Sequence, residues 1–282
     1  MGEPFTLLMP VYRGDDAAHF TKAFSSSVTA QSRRPDQVVL VQDGPVPPQL
    51  DDAIRAAVEG SVVPVLHHRI PENVGLAEAL TQGLSLSDHD IVARMDADDI
   101  SLPERFAKQV PLIEGGLDLV GTGMLEFLDD VGSIVGQRVP RTEQADIVRY
   151  ARFHDPFSHP TVVYRRAAVE RAGGYQPLGL MEDYWLFARM IDSGARVGNL
   201  AEPLVMYRVG AGAYARRGGS AQWRSELRLQ RAMRDIRFTT RAEYVRNVVV
   251  RGLYRFVPER LRKVAYRRLV AGGPTPKAEA NP

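Results

Sequence analysis

The chain has 282 residues, 44% apolar and 25% charged, and no cysteine, which excludes disulfides, thiolate metal sites and a cysteine nucleophile. No apolar run approaches the ~18 residues of a membrane span, and Met1-Gly2-Glu3-Pro4 lacks the basic and apolar regions of a signal peptide. The formal charge of +2 conceals a polarity: residues 1–213 carry 19 Lys and Arg against 29 Asp and Glu, and residues 214–282 carry 17 against 5. An acidic body with a basic C-terminal arm implies an anionic partner for the arm, whether lipid, nucleic acid or another subunit.

The first hundred residues alternate short apolar runs with helical patterns, the signature of βαβ units and an α/β fold with a mainly parallel sheet. Strands are predicted at Phe5–Met9, Gln37–Val41, Val62–Leu66 and Asp90–Met95, with helices near Ala17–Ala30, Gln49–Glu59 and Leu76–Leu84. Their ends carry Pro10-Val11-Tyr12, Asp43-Gly44-Pro45, His67-His68-Arg69 and Asp96-Ala97-Asp98-Asp99. Four such loops along the carboxyl edge of one sheet form a ligand crevice. Ser101 then reads as a helix N-cap with Pro103 in the first turn. Leu119–Leu128 and Ile134–Val139 read as a hairpin around Asp129-Asp130-Val131-Gly132. Further on come a helix near Thr142–Arg152, a strand at Thr161–Tyr164, a helix near Glu182–Ser193 and a strand at Leu204–Tyr207.

From Ser220 the pattern is helical and rich in arginine. Leu261, Val264, Ala265 and Leu269 share one helical face, with Arg260, Arg262, Lys263 and Arg267 on the others. A basic amphipathic helix of this kind suits an anionic membrane surface. The sequence thus divides into a body over 1–213, a basic helical arm over 214–271, and a tail over 272–282 that Gly272-Gly273-Pro274-Thr275-Pro276 opens.

Asp96, Asp98 and Asp99 follow directly on an apolar strand, which places hard oxygen ligands at the sheet edge. Such carboxylates suit Mg²⁺ or Mn²⁺, which complete their shells with phosphate oxygens and water. Taken alone, the same cluster reads as an exposed acidic turn, Asp-Gly-Pro as a common turn, and Asp183 at a helix start as a cap or dipole partner.

Leu8-Met9-Pro10-Val11-Tyr12, Val41-Gln42-Asp43-Gly44, Asn73-Val74-Gly75-Leu76, Asp96-Ala97-Asp98-Asp99 and Met181-Glu182-Asp183-Tyr184 together resemble the ordered motifs of family 2 inverting glycosyltransferases of GT-A fold. Arg94 through Phe106, Ser158-His159-Pro160-Thr161 and Tyr207-Arg208-Val209-Gly210 are similar to the amylovoran-biosynthesis galactosyl- and rhamnosyltransferase branch. The resemblance covers roughly residues 5–210. It implies that Pro10, Val11 and Tyr12 line the base pocket, that Asp43 accepts from the base, and that Asn73 and Gly75 belong to the nucleotide site. It further implies Asp98 as the first ligand of Mn²⁺ or Mg²⁺, Asp96 as sharing either the metal or the ribose hydroxyls, Asp99 as supporting the site, and Asp183 as the catalytic base. Glu182, His159 and Asp99 are candidates for acceptor or metal contact. Relatives carry a histidine after the tyrosine-arginine pair; Tyr207-Arg208-Val209-Gly210-Ala211-Gly212 has none. His159 or water is left for that contact, while Arg216 and Arg217 are either a phosphate clamp or part of the basic arm.

The function so implied is transfer of a hexose, galactose first, from a nucleotide diphosphate sugar to a lipid-linked or cell-envelope saccharide. The enzyme would sit in the cytoplasm, peripheral to the inner face of the cell membrane, with self-association open. A dTDP-rhamnose donor is the alternative. A nucleotidyltransferase would need a better phosphate loop than Pro10-Val11-Tyr12-Arg13-Gly14, and the acidic body opposes a nucleic acid partner.

Overall fold

The computed structural model describes residues 2–128, 131–209 and 220–256. Strands β1 (Phe5–Tyr12), β2 (Gln37–Asp43), β3 (Val65–Ile70) and β4 (Ile91–Arg94) alternate with helices α1 (Ala17–Val28), α2 (Pro48–Glu59) and α3 (Leu76–Ser85). After β5 (Ile100–Ser101) come α4 (Arg105–Glu114), the hairpin β6 (Leu119–Phe127) and β7 (Ile134–Arg138), and α5 (Gln144–Ala151). A 3₁₀ turn (His159–Thr161), β8 (Val163–Arg165), α6 (Arg166–Arg171), α7 (Glu182–Asp192) and β9 (Val197–Arg208) follow, then α8 (Ser220–Asp235) and α9 (Arg241–Phe256).

The sheet runs β3-β2-β1-β4-β8-β6-β9-β5, with β7 paired to β6. Its first four strands are parallel. Strand β8 runs antiparallel to both β4 and β6, and β6 pairs in parallel with β9. On β1, Phe5, Leu7, Met9 and Val11 join the core that α1, α2 and α4 cover, while Leu8 joins the core beneath α3 and α7. This period of two puts a hydrophobic layer on both faces, which is why β1 and β2 read as nearly continuous apolar runs.

Three expectations are corrected. The third strand is displaced from Val62–Leu66 to Val65–Ile70, because Pro64 cannot donate to a ladder. His67-His68-Arg69 therefore lie in the edge strand and not in a ligand loop; His67 Nε2 is 3.0 Å from Gln42 Oε1 and His68 Nε2 is 2.9 Å from Gln82 Oε1. Ser101 is not an N-cap: Ile100 and Ser101 pair with Met206 and Val205, and the helix starts at Arg105. The last strand is twelve residues and not four, interrupted by register shifts opposite Gly123.

The basic arm is described only to residue 256, so Leu261–Leu269, Arg216, Arg217 and the tail lie outside the described residues. Within α8 and the following turn, Leu229, Met233 and Phe238 are buried in the same core as Trp185 and Phe187 of α7. That part of the arm is docked on the body.

Arg105, fully buried, ties these layers together. Its Nη2 donates to Arg94 O at 2.7 Å, its Nη1 to Ser101 Oγ at 2.9 Å, and its Nε to Gln109 Oε1 at 3.1 Å. Gln109 Nε2 continues to Thr161 O at 2.8 Å and Val120 O at 3.1 Å. Burial, with Arg94 nearby, pulls the Arg105 guanidinium down to about 9. Arg105→Ala strands three acceptors and opens a cavity, so chemical denaturation should show a loss of at least ~3 kcal/mol. A variant within ~0.5 kcal/mol of wild type would refute the role of Arg105 as a tie.

Candidate active site

The parallel register assembles the crevice. Tyr12 stands beside Asp43, and Leu8 beside Arg94, so the chain leaving β4 enters the acidic turn next to the last residues of β1. Pro10 and Val11 are buried, and Tyr12 is 48% exposed at the strand end. The Tyr12 ring lies against Gly14, where a Cβ would clash with it.

Asp43 is almost wholly buried, and its carboxylate organises the neighbouring loop. Oδ2 accepts from Asn73 Nδ2 at 2.7 Å and Gly75 N at 3.0 Å, while Oδ1 accepts from Val74 N at 2.7 Å. Asn73 and Gly75 are thus held at the entry of α3 by Asp43, whose carboxylate, implied by the resemblance as an acceptor for the base, takes donors of this loop. Gly44, with φ of +83°, allows this approach: a Cβ there would lie 2.7 Å from Asn73 N.

Asp96, Asp98 and Asp99 each present a carboxylate oxygen, all within 4.8 Å of one another. Asp99 is fully buried; its Oδ1 accepts from Arg208 N at 2.8 Å, while its Oδ2 has no partner among the described residues. Arg208 Nε also donates to Asp98 O at 3.0 Å. Three converging carboxylates with one orphaned buried oxygen fit a divalent cation. Burial, with the charge of Asp96, pushes Asp98 up to about 6, and burial with Asp98 and Asp96 holds Asp99 well above the usual carboxylate range. Such protonation is what like charges adopt without a counter-cation.

Arg94, 1% exposed, lies under this turn and pairs with Asp96. Its Nε and Nη1 are buried without a partner among the described residues. Arg94 also lines a cavity of about 290 Å³ with Asp96, Asp155, His159, Asp183, Arg138 and Tyr207. The acidic turn and the start of α7 therefore share one space. The Asp183 carboxylate is raised by burial and held back by the Tyr184 amide, which donates at 2.7 Å, and by Arg94. Burial raises Glu182 to about 7, helped by Asp183, and Glu182 Oε2 lacks a partner among the described residues. Burial and Asp183 hold Asp155 well above its usual range.

His159 is placed in the cavity wall. Its Nε2 is 2.9 Å from Tyr175 Oη and its ring lies edge-on to Phe187 at 6.0 Å. Burial, and secondarily Arg94, hold it neutral. Among the described residues the acidic ligand group consists of Asp96, Asp98 and Asp99 without His159.

Sequence reasoning assigned no role to Arg94, Asp155 or Asp15. Arg94 stood in the quoted motif, but a strand-end arginine reads as surface until the neighbouring carboxylates are seen to bury it. Asp15 Oδ2 accepts from Tyr12 N at 2.8 Å; burial, then Asp98 and Asp96, push its carboxyl up to about 7. Its signal was the Asp15-Asp16 pair just beyond β1, of which Asp16 caps α1 through Ala18 N and His19 N.

Solved structures share this architecture. S. aureus TarS 1–349 in complex with UDP-GlcNAc superposes with a TM-score of 0.65 at 16% identity, over 89% of this chain and 72% of that one. The mannosyltransferase PcManGT of Pyrobaculum calidifontis, in complex with GDP-Man and Mn²⁺, gives 0.60 at 18% identity, over 98% and 77%. The fold is GT-A, and the protein is a glycosyltransferase. The chain belongs to glycosyl transferase family 2, whose model matches residues 6–173. An uncharacterized glycosyltransferase of Haemophilus influenzae is 38% identical over 80% of this chain and 83% of its own length. The amylovoran biosynthesis glycosyltransferase AmsE of Erwinia amylovora is 33% identical over 94% and 98%. The UDP-Gal:alpha-D-GlcNAc-diphosphoundecaprenol beta-1,3-galactosyltransferase of Escherichia coli is 27% identical over 94% and 96%.

The raised carboxyls fix a sign. Asp98 and Asp15 hold protons in the native state that the unfolded chain releases near pH 4, so metal-free stability should fall as pH rises from about 4 to about 7. Mn²⁺ should reverse this, stabilising by about 2.7 kcal/mol at a hundredfold excess over its Kd, with the gain growing with pH. Thermal scans with EDTA or Mn²⁺ at pH 5, 6 and 7.5 test both effects. A cation shift that is absent, or largest at pH 5, would remove the acidic turn as a metal site.

Proposed function

We propose that the protein is a metal-dependent inverting hexosyltransferase that moves galactose from UDP-galactose to a hydroxyl of a lipid-linked or cell-envelope saccharide. The observation that carries this reading is the single cavity joining Asp96, at the mouth of the acidic turn, to Asp183 on α7. A donor site and an acceptor base must be that close for direct displacement at an anomeric carbon. The relatives' names support the substrate class: one similar enzyme acts on a diphosphoundecaprenol-linked sugar with UDP-Gal, and another serves amylovoran biosynthesis.

In this reading Tyr12, with Pro10 and Val11, faces the base, and Asp43 keeps Asn73 and Gly75 at the nucleotide site. Asp96 and Asp98 hold Mn²⁺ or Mg²⁺, with Asp99 bracing the turn through Arg208. The bound cation supplies charge neutralisation for the departing diphosphate. Asp183 accepts the proton of the acceptor hydroxyl as that oxygen attacks the sugar from the face opposite the nucleotide, which inverts the anomeric centre. Arg94 keeps Asp183 ionisable in a site whose burial opposes charge. Asp155 stands as a second buried carboxyl in the same cavity, held protonated by burial and the Asp183 charge, and His159, neutral, shapes the acceptor side. The enzyme works at the inner face of the cell membrane, where a lipid-linked acceptor presents its saccharide, and its basic arm faces the anionic lipid.

Asp183→Asn should lower transfer by about a thousandfold or more, with UDP affinity unchanged by calorimetry. Retained transfer would take Asp183 out of the base role. A panel of UDP- and dTDP-sugars with Mn²⁺ or Mg²⁺, read by nucleotide release, should favour UDP-galactose, and preferential dTDP release would overturn that donor. Because Asp183 must be ionised and burial raises its pKa, kcat/KM should decline with acidification at a pH above the ordinary carboxylate value of ~3.9. A profile flat down to pH 4 would contradict the assignment.

A further inference from the structure

Helix α9 is amphipathic in the reverse sense for a helix packed on a soluble body. Its inner face is polar. Asn247, 1% exposed, donates through Nδ2 to Arg152 O at 2.8 Å and Gln230 Oε1 at 2.9 Å. Arg251 bonds to Glu226 Oε1 and to Phe153 O, and Glu243 takes Arg152 at 3.4 Å. Its outer face is apolar: Val245, Val249 and Val250 are 57%, 51% and 52% exposed. Ala242, Val245 and Val249, at spacings of three and four, form one stripe. Exposed Arg241 and Arg246 flank it, on either side by helical angle. The acidic residue of this helix, Glu243, points inward to Arg152 and the Thr240 amide.

A valine stripe turned to water costs hydrophobic free energy that a polar inner face does not recover, so the outer face has a partner. We infer that α9 docks the enzyme flat on an anionic phospholipid surface, with Val245 and Val249 entering the interface and Arg241 meeting the headgroups, while Arg246 is held over the Phe153 ring at 4.5 Å. Charge selects this occupant. The stripe carries cations and no carboxylate, α8 exposes Arg224, Arg228 and Arg231 beside it in sequence, and the chain beyond α9 continues with Arg260, Arg262, Lys263, Arg267 and Arg268. Interfacial helices combine such an apolar strip with flanking arginines, and each basic residue near an anionic leaflet adds to the attraction. The inner contacts also tie α9 to the acceptor side: Arg251 lies 5.8 Å from the ring of Tyr184, the residue after Asp183. The inference rests on the membrane-side reading of the acceptor proposed above, and gives that reading a surface distinct from Leu261–Leu269.

Co-sedimentation with vesicles tests it without donor or acceptor, so failure here is separable from failure of the glycosyltransferase reading. The full chain should bind vesicles of phosphatidylcholine with phosphatidylglycerol, bind pure phosphatidylcholine weakly, and release in high salt. Val245→Glu with Val249→Glu should weaken partitioning by about tenfold or more, with an unchanged melting temperature and unchanged turnover on a water-soluble acceptor. Arg241→Glu should weaken the preference for anionic lipid and lower the salt concentration at which the chain is released, with an unchanged melting temperature. The inference is overturned if the wild-type chain ignores the vesicles or if the valine variant binds them as well as wild type. It is equally overturned if sedimentation velocity shows that the valine pair holds a dimer instead.

Discussion

The site depends on a cation buried beneath a cluster of anions. Asp96, Asp98 and Asp99 repel one another at short range, Asp183 and Asp155 line the cavity that Asp96 enters, and Glu182 sits next to Asp183 in the chain. Arg94 is the guanidinium at their centre. It pairs with Asp96 and opposes the burial-driven protonation of Asp98, Asp99, Glu182 and Asp183. A lone buried guanidinium is costly, and Arg94 is tolerated because carboxylates surround it. Arg105 fixes the backbone that carries it, taking the Arg94 carbonyl and the Ser101 hydroxyl in one fork.

This arrangement makes the turn rigid and electrically unfinished. Asp98 and Asp99 stay above the usual carboxylate range despite Arg94 and Arg208, and Asp99 keeps an oxygen with no partner among the described residues. In the proposed reading a divalent cation takes the place of the protons these carboxyls hold, and the donor's diphosphate completes the cation's shell. The parallel register of β2, β1 and β4 brings Tyr12 and Asp43 to the same sheet edge as this turn. The crossing of β8 and the turn at His159 brings the wall from which α7 presents Asp183.

The parallel half of the fold was legible because its strands are buried on both faces and read as unbroken apolar runs. The acidic turn was legible because a buried strand ends in it. The third strand slipped by three residues because His67, His68 and Arg69 look like loop, while an edge strand needs only alternate residues covered. The full length of β9 was hidden by Glu202-Pro203, where register shifts absorb the break. The two-residue β5 has no pattern to detect, since a pairing across more than a hundred residues leaves no local trace. Among site residues, the motif carboxylates were legible through their order and resemblance, whereas Arg94, inside the same motif, was not. Arg94, Asp155 and Asp15 matter through the charges that meet them in space, which spacing along the chain does not encode.

The account stands on the acidic turn as a seat for a cation and a nucleotide diphosphate together. Calorimetry of UDP against uridine, each with Mn²⁺ and with EDTA, addresses that directly. UDP affinity should fall at least about tenfold on removing the metal, whereas uridine affinity should not respond. Equal binding of UDP with and without Mn²⁺ would contradict the account.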